Sequence, residues 1–345
     1  MNFQQLVRPN IYNLEPYSSA RDEFQGQASV YLDANENPYN NPYNRYPDPT
    51  QRQLKNYIAK IKNITCQQIF VGNGSDESID LTFRIFCEPG KDNVAAIEPT
   101  YGMYKVCAGI NNVEYRAVDL EDDFRLNAHK LLDATDNNTK VIFLCSPNNP
   151  TANLMDKSAV MEILNHFQGI VVIDEAYIDF AQTEGWLPEI NKFPNLIVYQ
   201  TFSKAWGLAA VRCGLALANS EIIALFNKVK YPYNVNLLTQ NAVLEQINDK
   251  QKNLWVQQIL KERQPLIDKL KLLDVTRKVY HSDANFVLVK VVDANRIYQY
   301  LTGMGIIVRN RSKVKLCGEC LRITVGTGKE NRALIDALKT FPCKI

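Results

Sequence analysis

The stretch Ile170-Val-Val-Ile-Asp-Glu-Ala-Tyr-Ile-Asp-Phe180 decides the class of fold. It opens with four consecutive apolar residues, and such an uninterrupted run is typical of a strand buried on both faces of a largely parallel sheet. Asp174 follows the run directly, and open α/β sheets bind their ligands at the carboxyl ends of their strands. The stretch therefore predicts a central strand that ends at a candidate site residue, although Asp174 taken alone is better explained as the cap of the next segment.

The chain contains similar short apolar segments on both sides of this stretch: Val94–Ile97, Val113–Val118, Val141–Cys145, Leu196–Gln200 and Gly214–Ala218. They alternate with helical patterns, which predicts an α/β domain of parallel strands and crossover helices. After Ser220 comes a long helical region that Pro265 is expected to interrupt, followed by the strands and helices of a smaller α+β domain. We expect an N-terminal arm over residues 1–30, a large domain over 31–235 and a small C-terminal domain over 236–345.

The composition is that of an ordinary globular protein, with 46% hydrophobic and 22% charged residues in a chain of 345. Lys and Arg number 39 and Asp and Glu number 37, which gives a net charge of +2. This balance argues against binding to nucleic acid or to a membrane surface, but it leaves room for a local pocket that binds a small anion. The absence of a long apolar window and of a signal-peptide core, with eight cysteines interpreted as free thiols, predicts a cytoplasmic protein.

The segment Gln200-Thr-Phe-Ser-Lys-Ala-Trp-Gly-Leu-Ala-Ala-Val-Arg212 is the most informative for chemistry. It places two hydroxyl residues, Thr201 and Ser203, before Lys204 at the end of an apolar strand, and Arg212 comes eight residues later. An amine at the end of a buried strand is costly unless it is paired or used chemically. Lys204 is therefore a candidate catalytic residue, although a Ser-Lys pair by itself is most often accidental.

Two further segments place polar residues at the ends of strands or the starts of helices. Cys145-Ser-Pro-Asn-Asn-Pro-Thr-Ala152 directly follows another apolar strand. Val71-Gly-Asn-Gly-Ser-Asp-Glu77 is a glycine turn that leads into a helix, and the first backbone N–H groups of such a helix can bind an anion. The lysine of a nucleoside-triphosphate loop is missing from this turn, which excludes that class of site.

Taken together, these segments match what pyridoxal phosphate requires of a protein. The cofactor needs a lysine for covalent attachment, a carboxylate that keeps its ring nitrogen protonated, hydrogen-bond partners for its phenolic oxygen and a site for its phosphate. The chain offers Lys204, Asp174 with Tyr177 three residues on, an asparagine after a strand and a glycine turn. Each feature alone has an ordinary structural explanation, and it is their combination that predicts the cofactor.

With these motifs the sequence resembles the fold-type I pyridoxal-phosphate enzymes of the aspartate aminotransferase superfamily and, within it, the histidinol-phosphate aminotransferase family. The segments around Lys204 and Asp174 are those of the superfamily. The resemblance implies an α/β fold: a large domain whose mostly parallel central sheet is sandwiched by helices, and a smaller α+β domain. The narrower resemblance covers nearly the whole chain and rests on Arg8–Arg21, Leu32–Pro38, Arg45–Pro47, Glu98–Tyr104 and Leu321–Thr327.

The resemblance implies a role for each matching residue around the cofactor, pyridoxal 5'-phosphate. Lys204 would carry the cofactor and, once released, move a proton between the substrate Cα and the cofactor. Asp174 would pair with the ring nitrogen, while Tyr177 and Asn149 would hydrogen-bond the phenolic oxygen. The other cofactor contacts would come from the backbone of Ser75 and Asp76, the hydroxyls of Thr201 and Ser203, the guanidinium of Arg212 and the ring of Tyr101.

The resemblance also implies a homodimer with shared active sites, in which Tyr46 would reach the cofactor phosphate of the neighbouring subunit. Arg322 would bind the α-carboxylate of glutamate and, in the other half-reaction, the phosphate of histidinol phosphate, with help from Arg309 and Tyr17. The implied reaction exchanges an amino group between glutamate/2-oxoglutarate and histidinol phosphate/imidazole acetol phosphate in histidine biosynthesis. An aromatic amino-acid aminotransferase, a threonine-phosphate decarboxylase and a non-catalytic cofactor-binding regulator remain alternatives.

Two details of the sequence stand apart from this pattern. The family's Asn-Pro-Thr-Gly turn reads Asn149-Pro-Thr-Ala152 here, and if that position has a positive φ, the alanine costs about 1 kcal/mol of strain. Cys317-Gly-Glu-Cys320 is a lone Cys-x-x-Cys without a second ligand pair, which we interpret as a hairpin turn with two incidental thiols. We expect no metal site.

Overall fold

The computed structural model describes residues 3–24, 26 and 28–342. Its larger sheet has seven strands in the order β1-β7-β6-β5-β4-β2-β3. The neighbours from β6 through β3 run parallel, and β7 is antiparallel to both β6 and β1. The strands are β1 Ile69–Asn73, β2 Asn93–Glu98, β3 Glu114–Asp119, β4 Thr139–Cys145, β5 Ile170–Asp174, β6 Leu196–Thr201 and β7 Cys213–Ala218.

Helices connect these strands and cover both faces of the sheet. The helices that come before this sheet, between its strands or directly after it are α1 Phe3–Leu6, α2 Pro9–Tyr12, α3 Ala20–Glu23, α4 Arg52–Lys62, α5 Ser75–Phe86, α6 Met103–Ile110, α7 Ala128–Asp133, α8 Lys157–His166 and α9 Ser220–Val229. Every residue of β5 is buried; Val171 and Ile173 join the core on one face, and Ile170 and Val172 join the core on the other. The predicted α/β fold with its mostly parallel sheet is confirmed.

The second sheet has four antiparallel strands in the order β10-β11-β9-β8. One face of this sheet, with Leu321 and Ile323, packs against helices, and the other face, with Phe286 and Cys320, joins a core of the larger sheet. The elements are α10 Leu237–Gln246, α11 Asp249–Lys271, β8 Thr276–Val279, β9 Phe286–Val291, α12 Ala294–Gly303, β10 Arg309–Asn310, β11 Cys320–Thr324 and α13 Gly328–Lys339.

The expected interruption at Pro265 is wrong, because α11 continues through this residue. Proline removes one helical hydrogen bond and crowds the preceding turn. The residues that follow, Leu266, Ile267 and Leu270, are buried in the core of the smaller sheet. Their packing offsets the cost of the proline, as tertiary contacts supply most of a helix's stability.

The cysteines of the described residues are free thiols, as the sequence predicted. These are seven cysteines, and Cys343 lies outside the described residues. Cys317 and Cys320 are buried in the predicted hairpin turn, where the Cys320 N–H donates to the Cys317 carbonyl over 3.0 Å. A search of residues 3–24, 26 and 28–342 finds no helix with both the length and the apolarity of a transmembrane span.

The topology brings the candidate residues to one edge of the larger sheet. Cys145 and Asp174 end adjacent parallel strands and pair with each other in register. Thr201 ends β6, the next strand, and pairs with Gly214 near the start of β7. Because β7 is antiparallel, it begins where β6 ends, so Arg212 just before it lies at the same edge.

Candidate active site

Asp174 lies at the bottom of the site, at the buried carboxyl end of β5. Its Oδ2 accepts a hydrogen bond from the Tyr104 hydroxyl over 2.7 Å, and its Oδ1 accepts one from the Ala176 N–H over 3.1 Å. Burial raises the pKa of the Asp174 carboxyl to about 6, while these hydrogen bonds and the Lys204 charge act in the opposite direction. A buried carboxylate with little positive charge around it is stabilised when a cation binds beside it.

A chain of hydrogen bonds connects Tyr177 to the smaller sheet. The Asn149 Nδ2 donates to the Tyr177 hydroxyl over 3.5 Å, and the Asn149 Oδ1 accepts from Nη1 of Arg322 over 2.6 Å. Asn149 and Tyr177 are buried. The Arg322 guanidinium also lies 5.4 Å from the centre of the Phe286 ring. Arg322 is therefore held beside the pocket by residues of both sheets.

Lys204 follows β6, and its Nζ lies 5.6 Å from the centre of the Tyr177 ring. The surrounding protein desolvates this amine, which lowers its pKa, and the charges of Arg322 and Arg212 lower it further against the attraction of Asp174. A lowered pKa increases the neutral fraction of an amine, and the neutral form is the nucleophile and base. Lys204 can therefore act as a nucleophile and a base, as well as carry a positive charge.

The first turn of α5 forms a cradle of anion-binding groups. Arg212 extends its Nη2 to Asp76 Oδ2 over 3.3 Å and its Nη1 to Ser203 Oγ over 3.5 Å. Gly74 precedes the helix with φ 75°, and a Cβ there would lie 2.6 Å from Arg212 Nη2. A Cβ on Gly214 would clash with the Ser75 nitrogen. The two glycines keep the backbone amides of the helix start and the guanidinium close together, which suits a phosphate group.

One cavity joins these groups. Tyr101 lies on its wall, where its hydroxyl donates to Asp76 Oδ1 over 3.0 Å. Cys145 and Ala176 also contribute to the wall. Ten of the residues that the sequence predicted for the cofactor line this cavity: Ser75, Asp76, Tyr101, Asn149, Asp174, Tyr177, Thr201, Ser203, Lys204 and Arg212.

Four predicted residues do not line the cavity within one chain, and one of them is Arg322, which contacts Asn149 of the cavity wall. Tyr46 is half exposed and stacks on Tyr233, with the ring centres 4.4 Å apart. Tyr17 is exposed in the N-terminal segment. Arg309 is exposed on β10, directly opposite Arg322 in the strand register.

Sequence reasoning missed two residues of this region, Tyr104 and Arg311. Tyr104 lies in the first turn of α6, three residues after Tyr101, and this short spacing was the available signal for a second phenol at the site. Arg311 lies two residues after Arg309, and the two-residue period of an extended strand was the signal there. Neither spacing identifies what the side chain contacts.

With the geometry established, comparison with known proteins is informative. Residues 22–338 match the protein family described as aminotransferase class I and II. The chain belongs to the aminotransferase class I and II family. A match over this range includes both sheets and the whole cavity.

Individual proteins agree with this assignment. The histidinol-phosphate aminotransferase of Bacteroides thetaiotaomicron is 56% identical to this aminotransferase over 340 residues, which cover 98% of each chain. The crystal structure of the histidinol-phosphate aminotransferase from Clostridium acetobutylicum has a TM-score of 0.80 at 23% identity, over 86% of this chain and 90% of that one. The enzyme from Sinorhizobium meliloti, solved in complex with pyridoxal-5'-phosphate, has a TM-score of 0.77 at 23% identity, over 86% and 82% of the two chains. At these identities the structural likeness shows the fold.

Aminotransferases of this family depend on pyridoxal phosphate, which is therefore the cofactor of this aminotransferase. The cavity fits the group at three places. Asp174 presents a buried carboxylate that favours a cation, Gly74 and Gly214 keep open a cradle of anion-binding donors, and Lys204 presents an amine with a lowered pKa.

Proposed function

We propose that this aminotransferase exchanges an amino group between L-glutamate/2-oxoglutarate and histidinol phosphate/imidazole acetol phosphate, a step of histidine biosynthesis. The observation that carries the proposal is the 56% identity, over nearly the full length of both chains, to a relative named histidinol-phosphate aminotransferase. The arginines beside the cavity support it, because both a carboxylate and a phosphate need such donors.

Bound pyridoxal phosphate supplies an electron-withdrawing ring that stabilises negative charge developing at the substrate Cα. Asp174 holds the ring nitrogen protonated, since its buried carboxylate is stabilised by a positive charge beside it. Lys204 would take the proton from the substrate Cα and deliver it to the cofactor, and the reverse in the second half-reaction, for which its lowered pKa is suited. Tyr177 and Asn149, joined by their hydrogen bond, orient the phenolic oxygen.

We assign the binding of the cofactor phosphate to the cradle of anion-binding groups at the first turn of α5. The N–H groups of Ser75 and Asp76 begin α5, where the helix dipole favours an anion. The Arg212 guanidinium and the hydroxyls of Thr201 and Ser203 complete the set from the β6–β7 connection. Tyr101, on the wall of the cavity, would stack on the cofactor ring.

Substrate anions meet Arg322, which Asn149 and Phe286 hold beside the cavity. Its planar guanidinium binds the carboxylate of glutamate in one half-reaction and the phosphate of histidinol phosphate in the other. Arg309, directly opposite on β10, and Tyr17 assist. In this proposal the C-terminal unit, residues 236–345, closes over the substrate bound to the cofactor unit of residues 31–235.

A second copy of the chain completes the site. Tyr43 and Leu238 line a surface hollow together with Tyr46, and both are more than half exposed. A patch of this kind marks an interface, and Tyr and Trp are typical interface residues. Since Tyr46 does not line the cavity of its own chain, we assign it to the cofactor phosphate of the partner subunit, with residues 1–30 as an arm of the dimer.

The decisive experiment incubates purified protein, pyridoxal phosphate, histidinol phosphate and 2-oxoglutarate and measures glutamate. We expect glutamate formation that the Lys204→Ala variant does not support. Release of carbon dioxide from threonine phosphate would favour the decarboxylase, and preference for phenylalanine or tyrosine as donor would favour the aromatic aminotransferase. Borohydride reduction of the yellow protein tests Lys204 itself, since it should label this lysine.

A further inference from the structure

Three arginines lie on one face of the smaller sheet, and one of them, Arg322, contacts Asn149 of the cavity wall. Arg309 on β10 pairs directly with Arg322 on β11. The ladder continues by one step, because the Arg311 N–H donates to the Cys320 carbonyl over 2.8 Å. Directly paired residues and residues two apart share a face of a strand pair. Arg309, Arg311 and Arg322 therefore share the face on which Cys320 joins the core that contains Tyr177.

This group of three cations lacks compensating negative charge. Within residues 3–24, 26 and 28–342, no carboxylate forms an ion pair with any of the three. Arg322 donates to an amide oxygen of Asn149, and the Nε of Arg311 is buried with no hydrogen-bond partner. Like charges directly opposite in a sheet destabilise it, and a buried donor without a partner adds to the cost.

Arg311 is itself partly buried, and the charges near it are positive. Burial lowers its pKa to about 10, and the next causes are the charges of Arg322 and Arg309. Tyr177, a residue of the cavity, is also close enough to act on this pKa, in the opposite direction. A side chain needed only for packing would not have to carry a charge here.

We propose that Arg311 is a third cation of the substrate-anion site and sets its preference for a phosphate monoester dianion over a carboxylate. A carboxylate carries one negative charge and two oxygens, which a single guanidinium satisfies with two parallel hydrogen bonds. A phosphate dianion carries a second charge and a third oxygen, and the guanidinium of Arg311, which no carboxylate neutralises within the described residues, matches this additional need. This inference rests on the proposed function, because it assigns the phosphate group of that substrate.

Steady-state kinetics of Arg311→Gln separate the two half-reactions. We expect the KM for histidinol phosphate to rise about tenfold or more, as the loss of one charge-assisted hydrogen bond predicts. The kcat should stay within about threefold and the KM for glutamate within about twofold, since glutamate carries only carboxylates. Arg277→Gln is the matched control, because Arg277 is exposed on β8, at the other edge of the same sheet. Equal increases for both substrates, or no increase, would overturn the proposal.

A binding measurement without turnover tests the same assignment. The holoenzyme, with its cofactor cradle filled, is titrated with inorganic phosphate while its thermal midpoint is recorded. The wild type and Arg277→Gln should gain stability with phosphate, and Arg311→Gln should lose most of that gain. Without phosphate, Arg311→Gln should be as stable as the wild type or more so, because a like charge is removed. Arg311→Lys, which keeps the charge and loses the planar fork, should be intermediate.

The two experiments give different results if the proposed function is wrong than if the assignment of Arg311 is wrong. If the wild type does not use histidinol phosphate but its phosphate-dependent stabilisation still requires Arg311, the proposed function is wrong and the anion site stands. If Arg311→Gln has a lower midpoint without phosphate and an unchanged response to phosphate, Arg311 is a packing residue and the inference is wrong.

Discussion

The Tyr104 hydroxyl donates a 2.7 Å hydrogen bond to Oδ2 of Asp174 in the fully buried layer between α6 and β5. The Tyr104 ring also stacks on Phe143 of β4, with the centres 4.9 Å apart, so its position is determined by the core. A donor to the charged form of a carboxyl lowers its pKa. Tyr104 therefore positions Asp174 and keeps it ionised.

Tyr104→Phe should move the acid limb of the pH profile of kcat/KM to higher pH by about one unit. The variant removes a hydrogen bond to a charged group, worth about 1.5–3 kcal/mol, and one pKa unit corresponds to about 1.4 kcal/mol. Asp174 is then ionised only at higher pH. The profile is measured with glutamate as the amino donor.

Tyr115→Phe is the matched control for this measurement. Tyr115 lies on the edge strand β3, outside the cavity lining. Its profile should match the wild type. A Tyr104→Phe enzyme with an unchanged acid limb and reduced activity at every pH would show that the phenol acts through packing alone.

Asp174→Asn should remove a pH dependence from the stability of the cofactor-free protein. The folded pKa of Asp174, about 6, is above the ordinary value of 3.8, so the folded state retains its proton more strongly than the unfolded state. Stability therefore falls as pH rises through this window, by roughly 3 kcal/mol in total. Urea unfolding of wild type and variant between pH 4.5 and 8 measures the difference, which should favour the variant increasingly up to about pH 6.

The exposed Asp122 provides a comparison with the same change of charge. Asp122→Asn should leave the unfolding free energy within about 0.5 kcal/mol of wild type, as is usual for exposed positions. A difference between wild type and Asp174→Asn that does not change with pH would contradict the assignment of a raised pKa to this carboxyl.

Gly74→Ala should weaken pyridoxal phosphate binding by about 10- to 100-fold. The new Cβ would lie 2.6 Å from Arg212 Nη2, so the guanidinium must leave the cradle and its charge-assisted hydrogen bond is lost. The φ of 75° adds about 1–3 kcal/mol of backbone strain. Absorbance titration of cofactor-free protein measures the affinity, with Gly102→Ala as control because nothing lies within 4 Å of its Cβ position.

Mixing a Tyr46→Ala variant with a Lys204→Ala variant should restore about a quarter of wild-type activity. Random exchange makes about half of the dimers hybrids, and each hybrid has one intact site if Tyr46 acts across the interface. Native mass spectrometry confirms subunit exchange. No rescue in a sample with confirmed hybrids would place the action of Tyr46 within its own chain.

Ala152 has a backbone conformation that is strained for an alanine. The substitution of alanine for the family's glycine predicted strain if the position has a positive φ, and the structure gives Ala152 a φ of 70° in a fully buried turn. The Ala152 N–H donates to the Asn148 carbonyl, and the Ala152 carbonyl accepts from Asp283 N–H, both over 2.8 Å. These contacts hold the turn in spite of a cost of about 1–2 kcal/mol.

The sequence by itself determined six of the seven strands of the larger sheet and the residues at their ends, whereas β1 was not predicted. Apolar runs such as Ile170–Ile173 have one stable environment, a sheet buried on both faces, and the chain direction then places Asp174, Lys204 and Asn149 at one edge. The order of these residues was enough to predict the cofactor.

Only the tertiary structure decided which side chains support these residues. The contact of Tyr104 with Asp174 and the grouping of Arg311 with Arg322 depend on the packing of α6 on the sheet and on the register of β10 with β11. Both of these arrangements join residues that are distant in sequence or on different strands. The local sequence pattern around a residue does not indicate contacts of this kind. Strand periodicity shows which face a residue occupies, whereas its partner depends on the neighbouring element that packs there.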